Sequence, residues 1–347
     1  KNANKSFEEI IKLDKSKWQK NGTKTPNFGY TKSGYWIHWS IKTSEIKPTQ
    51  WLFSLPTPLT DIISFYTIEN GNILKPIVTG DNYPFSQREI KHYNYLFPQI
   101  FKANSQYEFY LYLAGENSIF VPLTLWQSND FLQKNILETS IIFLYLGAML
   151  IMFLYNLLLY ISLRKSEFLY YCFLILTYTV FIASMKGVLF QSITADLPEL
   201  NRYIIPITAA MMPLLSALFT IKFLNITRKD EPFSWYSLNI FALLAIVALI
   251  GVKNIEYPII MKFIMLITYL FYFVVITLSI RKMKKGHIPA KYFTIAWSAI
   301  ILGYITLALT KLGFISSNLF TENSLLIGSV LEATLFSIAL ASRMRTM

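Results

Sequence analysis

The chain has 347 residues, 54% hydrophobic and only 15% charged, with a mean hydropathy of +0.41 and a formal net charge of +12. Soluble domains carry about 25% charged residues, so a wholly water-soluble protein is excluded. Cys172 is the single cysteine, which excludes an intrachain disulfide. The charge is unevenly spread: residues 1–130 hold 14 Lys and Arg against 11 Asp and Glu, and residues 131–347 hold 18 against 9. The first part reads as a water-soluble domain and the second as membrane.

The chain opens at Lys1 with no start methionine and no signal-peptide pattern, as expected of a processed or trimmed N-terminus. "SFEEIIKLDKSKW" (6–18) is the only helical stretch expected before the membrane. Residues 34–126 then follow the period-2 pattern of strands. In "YWIHWSIK", Tyr35, Ile37, Trp39 and Ile41 share one face, and Trp36, His38, Ser40 and Lys42 the other. "QWLFSLP", "DIISFYTIE", "YEFYLYLAG" and "SIFVPLTLW" alternate likewise, and "ENGN", "TGDN" and "AGEN" mark turns. Short strands at this spacing predict an all-β jelly roll or β-sandwich over residues 1–130. Five of the seven tryptophans lie there. Trp36, on the less apolar face, is a candidate stacking platform for a sugar ring; packing beneath a loop is the plainer alternative.

Within that domain "TGDNYPFSQRE" (79–89) combines a Gly-Asp turn, a proline and an arginine. Two readings are open. In one, Asp81 or Glu89 pairs with Arg88, Pro84 fixes the turn, and the stretch is architecture. In the other, Asp81 and Arg88 offer a carboxylate and a planar fork of donors to a ligand, with Tyr83 or Trp36 as the stacking surface. Two acids do not make a glycosidase without a defined spacing across a cleft.

After a linker at 131–139, seven apolar runs are long enough to span a bilayer: about 140–163, 168–190, 203–225, 235–252, 257–280, 290–312 and 324–342. The loops after odd-numbered runs hold eleven Lys and Arg, and those after even-numbered runs hold two, Arg202 and Lys253. Cytoplasmic loops are the basic ones. Residues 1–130 are therefore expected outside and the C-terminus inside, with "RKMKKGHIPAK" (281–291) a cytoplasmic loop that meets anionic lipid and not nucleic acid. Two polar residues fall mid-span: Asn156 in the first run and Glu332 in the seventh. Buried ionisable groups at this depth are costly and mark function by default, and Asn156 is a candidate partner for Glu332. The seventh run has no lysine for a retinal Schiff base, the three histidines lie outside the runs, and there is no metal-ligand cluster, cofactor motif, Gly-rich phosphate loop or internal repeat.

The stretches "FEEIIKLDKSKWQ", "PNFGYTKSGYWIHWSI", "WLFSLPTPLTDIISFYTIENG", "TGDNYPFSQRE" and "YEFYLYLAGENSIFVPLTLW", in this order, resemble the type-2 extracellular domain of the bacterial seven-transmembrane receptors with diverse intracellular signalling modules (7TMR-DISM). "YNLLLYISLRKSEFLYYCF" and "GSVLEATLFSIALASRM" are similar to the same family's seven-helix domain. The resemblance implies an inner-membrane receptor with a periplasmic jelly roll for a small molecule or carbohydrate, and helices that relay its state to a cytoplasmic output module. That module, a kinase, cyclase or phosphatase, would lie beyond Met347, so the chain itself is not expected to be an enzyme. Pairing as a homodimer is left open. The alternative is a membrane-anchored binding or assembly protein, or a transport accessory, without signalling output.

Overall fold

Hydrophobic alternation sets the outer domain. In the computed structural model, which describes all residues except 1–4, 24, 32, 45–48, 312, 313, 317, 346 and 347, the apolar alternate positions of successive strands face one another across a sandwich core. The side chains of residues 15, 30, 311 and 341–345 are likewise outside the description, including the basic Arg343 and Arg345 of the last predicted cytoplasmic segment.

Ser6 caps α1 (Phe7–Ile11) through a capping box with Glu9, and a 3-10 turn follows at Lys15–Lys17. The helix expected over 6–18 is thus one short helix and a turn. The strands are β1 (Asn27–Tyr30), β2 (Tyr35–Lys42), β3 (Thr49–Leu55), β4 (Ile62–Glu69), β5 (Asn72–Ile73), β6 (Ile77–Thr79), β7 (Tyr95–Phe101), β8 (Gln106–Ala114), β9 (Ser118–Phe120) and β10 (Thr124–Gln127). One antiparallel sheet runs β2-β8-β4-β5, with β6 also paired to β4, and another runs β10-β3-β7; β1 pairs with β9. The β2–β8 register sets Trp39 opposite Phe109, and β3–β7 sets Phe53 opposite Phe97. Phe53 meets Phe109 at 4.9 Å and Phe65 stacks on Phe97 at 4.5 Å, so the two sheets share one aromatic core. Tyr35, Ile37, Trp39 and Ile41 pack on that core, as their alternation requires.

The membrane helices match the apolar runs closely. They are α2 (Ser128–Leu163), α3 (Ser166–Met185), α5 (Pro198–Phe223), α6 (Pro232–Gly251), α7 (Tyr257–Lys284) and α8 (Ile288–Lys311), each long and apolar enough to cross a bilayer. Two short helices, α4 (Val188–Ser192) and α9 (Leu319–Glu322), lie in loops, and a seventh apolar helix, α10 (Ser324–Arg345), follows. At about 1.5 Å per residue, 20 residues cover roughly the 30 Å hydrocarbon. α8 and α10 approach through glycines: a Cβ on Gly303 would stand 2.7 Å from the Ser324 carbonyl oxygen, and one on Gly328 would stand 2.9 Å from that of Ala299. Small residues of this kind let membrane helices pack backbone to backbone.

Two boundaries differ from the sequence expectation. The linker placed at 131–139 is helical and continuous with α2, whose polar first turns extend the apolar run without a helix breaker. The second run, expected to reach residue 190, ends at Met185 because Gly187 adopts φ +73 and starts α4.

The chain divides into two compact units, residues 1–138 with 184–204, and residues 139–183 with 205–347. The first unit therefore contains more than the sandwich. It includes the first eleven residues of α2, the last two of α3, all of α4 and the first seven of α5.

Candidate functional site

Gly80 dictates where "TGDNYPFSQRE" lies. It adopts φ +150, and a Cβ there would sit 2.0 Å from the Asp61 carbonyl oxygen, so only glycine lets the chain leave β6 this close to the start of β4. The Asp81 and Asn82 amides then donate to the carbonyls of Thr60 and Asp61, at 2.9 and 3.3 Å. Pro84 leads into a 3-10 turn, Phe85–Gln87, which turns Phe85 and Arg88 inward.

Arg88 is the hub. Only 5% of it is exposed. Nη1 donates to the carbonyls of His92 and Tyr93 at 2.8 and 3.0 Å, and the guanidinium lies over the rings of Tyr95, Phe85 and Phe190 at 4.2, 4.6 and 5.5 Å. Charge-assisted bonds and desolvated cation–π contacts are among the stronger noncovalent terms. Nε and Nη2, the edge that a carboxylate accepts from in bidentate geometry, are buried without a hydrogen-bond acceptor. Neither Asp81 nor Glu89 forms an ion pair with Arg88, which corrects the partner in the architectural reading: Arg88 is held by backbone carbonyls instead.

The segment Arg88 organises grips helix ends. The Asn94 amide donates to His92 Nδ1, so Nε2 carries the proton and donates to Asn135 Oδ1 on α2 at 2.7 Å. Tyr93 OH donates to the same oxygen at 3.2 Å. On the other side, the Phe85 amide donates to the Ala195 carbonyl at 2.8 Å, and Phe85 meets Phe190 of α4 edge-on at 5.7 Å. Gly187 fits against the sandwich so closely that a Cβ there would stand 2.5 Å from Pro58 Cβ and 3.2 Å from the Tyr93 carbonyl oxygen. At the start of α5, Arg202 pairs with Glu116 of the "AGEN" turn at 2.6 Å. Asp61 holds that turn by accepting from the Glu116 amide at 2.8 Å and from Asn117 Nδ2 at 3.3 Å.

The electrostatics follow from burial. Desolvation, then the charge of Asp61, push the Asp81 carboxyl from its ordinary 3.8 up to about 8, against the pull of Arg88. Burial also raises Asp61, opposed by its bonds to Glu116 and Asn117. It holds His92 below the usual imidazole range and raises the Tyr95 phenol.

The four expected ligand residues are not assembled into one site. Asp81 and Arg88 are buried, and Tyr83 is half-buried without a ring stack. Trp36 lies elsewhere, half-buried among Phe7, Tyr66 and Tyr112 on the other face of the β2-β8-β4 sheet. Phe7 of α1 covers that face, stacking on Tyr66 at 3.8 Å, so Trp36 is no open platform. Asn135, Phe190, Ala195 and Gly187 were missed by sequence reasoning. Each sits in an apolar or featureless stretch, and Gly187 falls inside the run expected to reach residue 190, so nothing marked it as a helix end.

In the second unit, Asn156 and Glu332 are both buried. Asn156 Nδ2 donates to the Met152 carbonyl and to Ser337 Oγ, at 2.8 and 2.9 Å, so α2 and α10 are neighbours, as the expected pairing assumed. The partner is Ser337 and not Glu332, because five residues of helix turn Glu332 to another face. Glu332 Oε1 has no hydrogen-bond partner. Tyr145, Tyr171, Tyr178, Tyr272 and Tyr304, from four other helices, lie within electrostatic reach of its carboxyl. Among the described residues no His, Cys, Asp and Glu group could hold a metal.

The sequence signature described as 7TM diverse intracellular signalling matches residues 138–343, and that described as 7TMR-DISM extracellular 2 matches residues 1–127. The chain belongs to the 7TMR-DISM family. It is a multi-span membrane protein with an extracellular β-sheet domain, of a family of transmembrane signalling receptors. No match was found among curated proteins.

Proposed function

We propose that this 7TMR-DISM protein is an inner-membrane receptor whose periplasmic sandwich passes its state inward through the Arg88-centred clasp. One observation carries the reading: the ends of α2, α3 and α5 belong to the same compact unit as the sandwich, held by Asn135, Phe190, Ala195 and Arg202. A helix is stiff along its axis, so displacement of a gripped end is carried into the membrane portion of the same helix. The output module would follow α10, and the ligand would be a small molecule or carbohydrate met by the sandwich.

The inside-out charge asymmetry supports this orientation. Single cysteines at Ser86 and Lys285, in a Cys172→Ser background, test it with an impermeant thiol reagent on spheroplasts; labelling at 285 alone overturns it. For the relay itself, Gly187→Val is the direct test in a receptor with a diguanylate cyclase fused after Met347. The side chain would collide with Pro58 and cannot readily adopt φ +73. We expect basal cyclase output to change several-fold with insertion unaffected. Unchanged output despite a displaced 184–204 segment would overturn the relay.

A further inference from the structure

We propose that Asp81 and Arg88 form a proton-controlled latch within the clasp: protonated Asp81 stands apart from Arg88, and loss of that proton lets the carboxylate take the free Nε–Nη2 edge and draw the guanidinium off the His92 and Tyr93 carbonyls. The inference rests on the clasp being the transmission site. It goes further in naming what sets the clasp.

The geometry supplies both halves of the latch. Arg88 spends one nitrogen on two carbonyls and leaves its bidentate edge buried and unpartnered. A buried donor without an acceptor costs about 1–3 kcal/mol, more when charged. Asp81, seven residues earlier in the same motif, is 7% exposed and close enough for its charge to be felt by Arg88. A buried carboxylate and a buried guanidinium that feel each other's charge without pairing favour the neutral form of the carboxyl. Burial and Asp61 favour that neutral form up to about pH 8. Pairing with Arg88 would favour ionisation, so the midpoint of the coupled change should lie at roughly pH 6–8.

Several charged and titratable groups surround Asp81. Asp61 and Arg202 act on Asp81 from the start of β4 and from α5. Glu116 faces Asp61 and is paired with Arg202. Burial holds His92 below its usual range and raises the Tyr95 phenol. When Arg88 leaves the two carbonyls, His92 and Tyr93 lose their anchor, and with it the grip on Asn135 is released.

The test is hydrogen exchange of the whole protein in nanodiscs from pH 5.5 to 9, corrected for intrinsic exchange and read on peptides covering 85–95 and 184–204. Wild type should lose protection at least tenfold as pH rises through the window. Asp81→Asn should keep its low-pH protection throughout. Arg88→Lys, which lacks the bidentate edge, should move the midpoint upward. A flat wild-type profile, which needs no variant to fold, overturns the latch, as does an unaltered transition in Asp81→Asn. Either result leaves the relay standing, because the relay is decided by cyclase output in Gly187→Val and not by pH.

Discussion

Replacing Arg88 with methionine keeps a long apolar stem beneath three rings and removes the charge. The guanidinium makes two charge-assisted bonds, at 2.8 and 3.0 Å, to the His92 and Tyr93 carbonyls. Each is worth about 1.5–3 kcal/mol, and the desolvated ring contacts about 2 kcal/mol. Against this, methionine removes the cost of burying a cation with two unpartnered nitrogens, several kcal/mol by itself. The gain falls short of the loss, which totals about 5–8 kcal/mol. The net loss should be about 2–4 kcal/mol, a roughly 30- to 1000-fold fall in opening-limited amide protection. Hydrogen exchange of the intact protein in nanodiscs at pH 6 should show that fall in peptides covering 85–95 and 188–195, with β4 and β8 much less affected. Protection within threefold of wild type in both peptides would refute the view of Arg88 as the hub.

Three further outcomes follow from single groups. The Asp81 carboxyl lies at about 8 when folded against an ordinary 3.8, so its contribution to stability is complete below about pH 4 and is lost as pH rises to about 8; Asp81→Asn should flatten that fall in melts of the intact protein. Asn156→Leu and Ser337→Ala each break one bond between α2 and α10, worth about 0.6 kcal/mol and at most near 2, so each should lower the melting temperature in detergent slightly, and the double variant should lose no more than the larger single. Glu332→Leu removes a buried oxygen with no partner, so it should leave the bundle as stable as wild type or more so, while shifting basal output of a cyclase fusion that Glu332→Gln leaves nearly unchanged; equal output from both variants assigns Glu332 to packing alone.

Much of the architecture was legible because burial writes a period into the chain. Tyr35, Ile37, Trp39 and Ile41 alternate because one face of β2 meets the core, and the seven apolar runs stand out because hydrocarbon tolerates few charges. The clasp was half legible. Gly80, Asp81, Pro84 and Arg88 stood out by type, but whether Arg88 faces a ligand or rings depends on Phe190, about a hundred residues away and looking like any other apolar residue. Trp36 fails for a similar reason, since alternation places it off the core but cannot show that Phe7 folds back over it. For Asn156, mid-span depth was readable, but the choice of Ser337 over Glu332 depends on helix rotation.

The claim that the clasp carries the signal is tested most directly by exchanging the charges of the ion pair that ties it to α5, Glu116 and Arg202, 2.6 Å apart. Glu116→Arg and Arg202→Glu would each place like charges together, and a half-exposed pair of this kind contributes at most about 1 kcal/mol, so neither should unfold the domain. In a membrane-inserted cyclase fusion each single variant should shift basal output a few-fold, and the double variant, with the pair restored in reverse, should return to within twofold of wild type. Singles that signal as wild type would contradict the account, and so would a double variant as altered as either single.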